Sequence, residues 1–151
     1  MVLKLYILMD ALFIALLVWC AYTDLKTRTV SNISVVLMLG LGLAHTALML
    51  LTGGAWWLYP AGLAMGVPFF IAWLRGHIGA GDVKLIMCIG LYLGLINTLQ
   101  TFAFMLPVLI VLLILFRRKN ETVTSMIPFA PVLAIGAGGV MLAGYFIMIL
   151  G

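Results

Sequence analysis

The stretch GAGDVKLIMCIGLYLGLINTLQTFAFMLPVLIVLLILF, residues 79–116, carries a single charge after its aspartate, on Lys84. As one α-helix, the part that begins at Val83 would be about 50 Å long, whereas the hydrocarbon core of a bilayer is about 30 Å thick. The stretch therefore has to turn back, and we expect the turn at its polar cluster NTLQT, residues 97–101. It predicts two membrane helices rather than one.

The composition of the whole chain points the same way. Of its 151 residues, 66% are hydrophobic and 8% are charged, whereas soluble domains are nearer ~45–50% apolar and ~25% charged. We therefore expect an all-α polytopic membrane protein, with one domain over 1–151. Further apolar runs, with a turn at 52–57 (TGGAWW), bring the total to six helices. The predicted spans are 5–22, 32–51, 57–74, 82–97, 101–116 and 128–150.

The basic residues are distributed unevenly over these spans. Lys4 lies at one end of the predicted helices and all the others lie at the opposite end. The others are Lys26, Arg28, Arg75, Lys84, Arg117, Arg118 and Lys119. By the positive-inside rule, the charged loops face the cytoplasm and both termini face outward. The charges form short clusters between apolar runs, which argues for membrane lipids as partners and against nucleic acid.

Each of the four acids has an ordinary interpretation when it is taken alone. Glu121 lies in a polar loop, where a solvated charge is expected. Asp10 lies within the first span, so it either reaches the outer interface or has a functional role. Asp24 follows the first helix beside basic residues that can balance it. Asp82 opens a helix, where an acid can cap the N-terminus and complement the helix dipole.

Asp24 and Asp82 suggest more as a pair. The topology puts both at the cytoplasmic ends of their helices, at the same depth, so a bundle could bring them face to face. Two carboxylates in contact share one proton: the ionised one can deprotonate a water while the protonated one hydrogen-bonds a scissile carbonyl. Gly79 and Gly81 lack Cβ atoms, which lets the chain before Asp82 bend sharply or approach a substrate backbone. This combination predicts an aspartic protease.

Three segments carry a more specific signal. GAGD at 79–82 matches the GxGD motif of intramembrane-type aspartic proteases. TDLKTRTVSN at 23–32 places an Asp before basic residues and an Asn, and IPFAPVLAIGA at 127–137 has a Pro-Phe-small-Pro pattern. In this order the segments resemble the motifs of the type IV prepilin peptidase family. That family commonly has Ile-Pro-Asn where this chain reads Val-Ser-Asn at 30–32, a difference that affects the loop and not the acid.

The resemblance implies a reaction and a place for it. Prepilin peptidases remove a short basic leader from prepilin or pseudopilin substrates, after a Gly, at the cytoplasmic face of the bacterial inner (plasma) membrane. By this resemblance Asp24 and Asp82 are catalytic, Gly79 and Gly81 shape the site, and no cofactor or metal is needed. The chain would be the short, peptidase-only form found with Tad-type pili, because it starts with a membrane helix and lacks the paired cysteines of longer members.

Four other residues have expected roles near this site. By the resemblance, Pro128 and Pro131 shape the site, although prolines are also common where a helix begins. Asn32 is expected to cap the second helix. Lys84 is two residues beyond the second aspartate and so points elsewhere on a helix, as an interfacial anchor.

Two other classes of function remain open on the sequence. Asp10, Asp24 and Asp82 could belong to a small proton-coupled transporter or channel, although such sites usually lie near the bilayer midplane. The chain could also be a non-enzymatic membrane component of a secretion or pilus machine, in which the acids would be dispensable. The general base, the prepilin that is cleaved and the oligomeric state are open as well.

Overall fold

The computed structural model describes residues 2–117 and 129–150, and this part of the chain is helical throughout, without a strand. The helices are joined by short connections. They are α1 (Val2–Thr27), α2 (Asn32–Leu51), α3 (Leu58–Gly62), a 3₁₀ turn (Leu63–Gly66), α4 (Val67–Leu74), α5 (Ala80–Arg117) and α6 (Phe129–Leu150).

Four of these helices are long and apolar enough to cross a bilayer. The qualifying segments are Leu3–Thr27, Asn32–Leu51, Ala80–Leu112 and Phe129–Ile147, and Leu58–Leu74 is a shorter apolar helix. Large apolar side chains cover the outside of the bundle: Leu51 is 83% exposed and Ile33 is 74% exposed. A surface of this kind suits lipid and not water. The prediction of a helical membrane protein is confirmed.

Helix α1 extends further than predicted. Nothing breaks it between residues 22 and 27, and the Thr23 and Thr27 hydroxyls donate to backbone carbonyls of the preceding turn, at 3.0 and 2.8 Å. The helix stops where Arg28 adopts a left-handed conformation, with φ of 53°. The expectation that Asp24 follows the helix is therefore wrong, because Asp24 lies in the last turn of α1.

The turn predicted at 97–101 is also wrong, because the break in α5 lies at Gly94. Gly94 has φ of 78° and ψ of 173°, which glycine adopts without a steric penalty. The polar residues after it remain helical, since their side chains bond back to the preceding turn. Asn97 Nδ2 donates to the Leu93 carbonyl at 3.1 Å, and Thr101 Oγ1 donates to the Asn97 carbonyl at 2.9 Å.

The contacts of α5 change direction at Gly94. Before the break, the first arm of α5 runs from the Asp24 end of α1 towards its Asp10 end. Asp82 at its start is within range of the charge on Asp24, and the Tyr92 hydroxyl near its end bonds to Asp10. After the break, residues 95–117 pack along α6. Asn97 lines the same cavity as Tyr145 near the end of α6, while Met105 lies against Gly136 nearer its start. The two arms of α5 therefore run in opposite directions.

Small residues let the first arm of α5 approach α3 closely. A Cβ atom at Gly62 would overlap the Gly90 carbonyl, and one at Gly90 would overlap the Gly62 carbonyl. The patterns Gly62-x-x-x-Gly66 and Gly90-x-x-x-Gly94 thus lie against each other, in a close helix contact that only small residues allow.

The first arm of α5 is the centre of the bundle. Leu85, Ile86 and Ile89 are fully buried, and the Tyr92 ring stacks on Phe13 of α1 with centroids 3.8 Å apart. The start of this arm lies at the same end of the bundle as the last turn of α1, within range of the charge on Asp24. That arrangement positions the candidate site.

Candidate active site

Asp24 is the buried acid of the candidate site. Only 8% of its surface is exposed, and its Oδ2 accepts a hydrogen bond from the backbone N–H of Ala130 at 3.3 Å. Ala130 is in the first turn of α6, where N–H groups lack intrahelical partners and the helix dipole is positive. The start of α6 therefore holds the Asp24 carboxylate in place.

Asp82 lies in the first turn of α5 and is half-buried. A Cβ atom at Gly79 would lie 3.4 Å from Asp82 Oδ2, so the chain before α5 folds back over this oxygen. Both acids thus lie against the backbone at the start of a helix.

The structure brings the two acids to the same end of the bundle. Asp24 comes from α1 and Asp82 from α5, and the charge on Asp24 acts directly on the Asp82 carboxylate. Two acids at one end of the bundle are the arrangement that acid–base chemistry by a pair of carboxylates needs.

The loop after α1 closes one side of this pair. A Cβ atom at Gly81 would lie 3.0 Å from Val30 Cγ2, so the glycine gives the loop room to pack beside Asp82. Lys84 Nζ donates to Asn32 Oδ1 at 2.9 Å and joins the start of α5 to the start of α2. The expectation that Asn32 caps α2 is wrong, because Ser31 holds the cap position and Asn32 contacts Lys84 instead.

Comparison with known proteins agrees with these motifs. The model of the Type IV leader peptidase family matches residues 11–116, which contain both acids and most of the described helices. The chain belongs to the type IV leader peptidase family. Membership implies peptidase activity and, in general, prepilin-like substrates. No curated protein and no solved structure matches the chain.

In this leader peptidase, α6 lies outside the matched range. Pro131 is the third residue of α6 and directly follows Ala130, the donor to Asp24, while Pro128 lies outside the described residues. Pro131 lies in the first turn, where an N–H would have no partner within the helix, so the proline costs α6 no hydrogen bond. A role of Pro131 in shaping the site stays a prediction.

The contact from Ala130 is the partner that sequence reasoning missed. A backbone N–H leaves no trace in residue type, and the apolar Ala130 side chain carries no signal. The nearest available signal was Pro131, which marks the start of a helix whose free N–H groups need acceptors. The bond between Lys84 and Asn32 was missed as well, because the position of Lys84 in the sequence indicates only an anchor at the interface.

The remaining polar candidates lie apart from the pair. His77 is exposed in the connection before α5. Within residues 2–117 and 129–150, no group of three or more His, Cys, Asp or Glu side chains could hold a metal ion.

Asp10 lies nearer the opposite end of α1. It accepts hydrogen bonds from the hydroxyls of Tyr92 and Tyr145, so its side chain points into the bundle and is no part of this site.

Proposed function

We propose that this leader peptidase is an aspartic endopeptidase that cuts the short basic leader from prepilin-like substrates after a Gly. Asp24 and Asp82 are its catalytic pair. The observation that carries the proposal is their placement: two acids from separate helices lie at the same end of an apolar bundle, within range of each other's charge. A chain with so few charges gains little stability from bringing two carboxylates together, so a chemical role explains the arrangement.

The reaction needs one carboxylate ionised and the other protonated. The ionised one takes a proton from water, the water oxygen bonds to the scissile carbonyl carbon, and the protonated one gives its proton to the carbonyl oxygen. The first acid then passes its proton to the amide nitrogen as the C–N bond breaks, and the second takes back a proton from the diol. Both acids return to their starting states, and one water is consumed.

The two acids have different surroundings, which suits one ionised and one protonated carboxylate. Asp24 is more deeply buried and accepts from Ala130, whereas Asp82 is half-buried beside the exposed Gly79. A substrate strand can approach most closely on the Gly79 side, because no side chain projects there.

Six spans with both termini outside fit the proposed function. The opposite directions of the two arms of α5 support two crossings for this helix, and Leu58–Leu74 supplies another, shorter one. Lys26 and Lys84 lie at the same end as the two acids and Lys4 lies at the other, so the positive-inside rule puts the acids at the cytoplasmic face of the bacterial inner membrane. A prepilin presents its leader on that side.

The test is a cleavage assay on the full chain in membranes. The substrate is a membrane-inserted peptide with a short basic leader, a Gly and an apolar helix, and leader loss is measured by intact mass. Asp24→Asn and Asp82→Asn should each lower the cleavage rate by at least about 10³-fold, because each removes one half of the acid–base pair. His77→Gln serves as a control and should cleave like the wild type.

The outcomes separate the competing functions. Cleavage directly after the Gly by the wild type, and no cleavage by either Asn variant, would support the peptidase function and the catalytic role of both acids. Cleavage that persists in both variants contradicts the pair. Acid-dependent proton flux in liposomes without any cleavage would favour the transporter, and a pilus function that tolerates both variants would favour the non-enzymatic component.

A further inference from the structure

A cavity of about 540 Å³ lies around Asp10, about 20 Å along α1 from Asp24. It is bounded by α1, α2, α3, both arms of α5 around Gly94, and α6, and neither Asp24 nor Asp82 lines it, so it is distinct from the candidate active site. Its polar wall includes Tyr6, Asp10, His45, Tyr59, Asn97 and Gln100.

Asp10 is the acidic group of this cavity. Both of its oxygens accept hydrogen bonds, from Tyr92 at 2.5 Å and from Tyr145, and each carboxylate oxygen can accept a further bond. Among residues 2–117 and 129–150, no lysine or arginine forms an ion pair with it. An acid within a membrane span normally pairs with a cation or faces a functional cavity. Because Asp10 lies on a cavity wall, that cavity is a candidate site for a positively charged group.

His45 provides an independent sign of a ligand. Its side chain is 93% buried, since 7% is exposed, and its Nδ1 has no hydrogen-bond partner. The ring lies on the cavity wall. It is held there by Tyr6, Tyr59 and Tyr92, whose ring centroids are 4.8–5.5 Å away. A buried polar atom of this kind costs free energy unless a ligand or water bonds to it.

The rest of the wall indicates what the ligand carries. A carboxylate beside several tyrosine rings is the chemistry that binds organic ammonium groups, through charge and cation–π attraction. Leu3, Phe104 and Ile147 also line the cavity, and each is more than half exposed on the lipid-facing surface. The cavity is therefore open to hydrocarbon beside its polar part, as a site for an amphiphile would be.

We propose that this cavity is a binding site for a lipid whose headgroup carries an ammonium group, such as phosphatidylethanolamine. The ammonium bonds to Asp10, a polar group of the headgroup bonds to His45 Nδ1, and an acyl chain lies along Leu3, Phe104 and Ile147. Lys4, about 9 Å nearer the start of α1, is close enough to meet the headgroup phosphate. The inference is independent of the proposed peptidase function.

The test measures lipid selectivity of the full chain. The protein is reconstituted with equal amounts of phosphatidylethanolamine and phosphatidylglycerol that have the same acyl chains, and bound lipids are counted by native mass spectrometry. The wild type should retain phosphatidylethanolamine with about tenfold preference, the size expected for hydrogen bonds to a charged group. Asp10→Asn should lose this preference.

A second variant keeps the test valid if Asp10→Asn does not fold. Gly144 lines the cavity and has no atom within 4 Å of a Cβ position, so Gly144→Leu should obstruct the cavity and leave the Asp10 hydrogen bonds intact. Gly138→Leu is the matched control, because Gly138 has equal space on the same helix and does not line the cavity. Selectivity should be lost in Gly144→Leu and kept in Gly138→Leu.

Two results would overturn the proposal. One is equal retention of both lipids by the wild type, or a preference that survives in both cavity variants. The other is binding of free ethanolamine to the Asp10 cavity without any preference between the lipids, which would assign the site to a soluble amine.

Discussion

The two ends of α1 hold acids in contrasting surroundings. Near the C-terminal end, Asp24 accepts a hydrogen bond from the backbone of Ala130 and interacts with the charge on Asp82. Nearer the N-terminal end, Asp10 has each oxygen bonded to a tyrosine hydroxyl and no second acid beside it. Asp24 is buried and Asp10 is half-buried, but the larger difference is in the groups that contact them.

The difference lies in what each carboxylate can still do. Tyrosine hydroxyls occupy both oxygens of Asp10 and join α1 to α5 and α6, which suits a fixed charge that anchors helices or a ligand. In the proposed mechanism Asp24 and Asp82 share a proton, and the backbone N–H of Ala130 positions Asp24 without neutralising it. An acid held by two hydroxyl groups is suited to binding a cation, and a pair of acids is suited to acid–base chemistry.

The largest loss of stability is expected from a substitution at the close contact between α3 and α5, which lies between the two ends of the bundle. Gly62→Ala places a methyl group on the Gly90 carbonyl, so the helices must separate, with a loss of about 3 kcal/mol or more. Thermal unfolding in detergent measures it, and both ends should be disturbed together. Gly40→Ala is the control, since a Cβ there meets nothing within 4 Å. Equal stability of the two variants would contradict the close packing.

Lengthening the side chain of Asp24 tests whether cleavage depends on the exact position of its carboxylate. Asp24→Glu keeps the charge and moves the carboxylate by one methylene, away from the Ala130 N–H. We expect cleavage to fall about 100-fold, because a displacement of about 1 Å is enough to lose productive geometry. Circular dichroism should show an intact helical fold. Wild-type cleavage by Asp24→Glu would mean that the Asp24 carboxylate is not at the reacting centre.

Much of the fold could be predicted because a bilayer restricts it so strongly. The apolar runs require helices of a certain length, and the turn at 52–57 follows from its glycines. The break in α5 was misplaced because Asn97, Thr98 and Thr101 look like a turn, yet their side chains bond to backbone carbonyls inside the helix. Only the φ angle of Gly94 shows that the glycine, and not the polar cluster, makes the turn.

The site was predictable in its side chains and not in its backbone contacts. Asp24 and Asp82 stand out because acids are rare in this chain, and the basic residues indicated that both lie at one end. The donor from Ala130 depends on how α6 packs against α1, which no local pattern encodes. The cavity at Asp10 depends likewise on five helices at once, so its tyrosines and His45 could not be related to each other from their spacing.

Removing hydroxyls tests the anchoring role of the Asp10 end. Tyr145→Phe and Tyr92→Phe each delete one donor to Asp10 and keep the ring, including the stacking of Tyr92 on Phe13. Each should lower the free energy of unfolding by about 1 kcal/mol, the usual size for a hydrogen bond between membrane helices. Thermal unfolding in detergent is again the measurement. Tyr22→Phe is the control at an exposed ring, and a loss no greater than the control's would mean that Asp10 does not join the helices.

The smallest effect is expected from the link between Lys84 and Asn32 at the active end. Lys84→Met removes the bond of 2.9 Å between the starts of α5 and α2, and so loosens the segment that carries Asp82. The bond is exposed, where such contacts contribute about 0.5–1 kcal/mol, so cleavage should fall roughly two- to fivefold. Lys26→Met removes an equal charge from the same end without that bond. If both variants lose activity equally, the effect comes from charge at the membrane surface. A larger loss in Lys84→Met would mean that the position of Asp82 depends on the contact with α2.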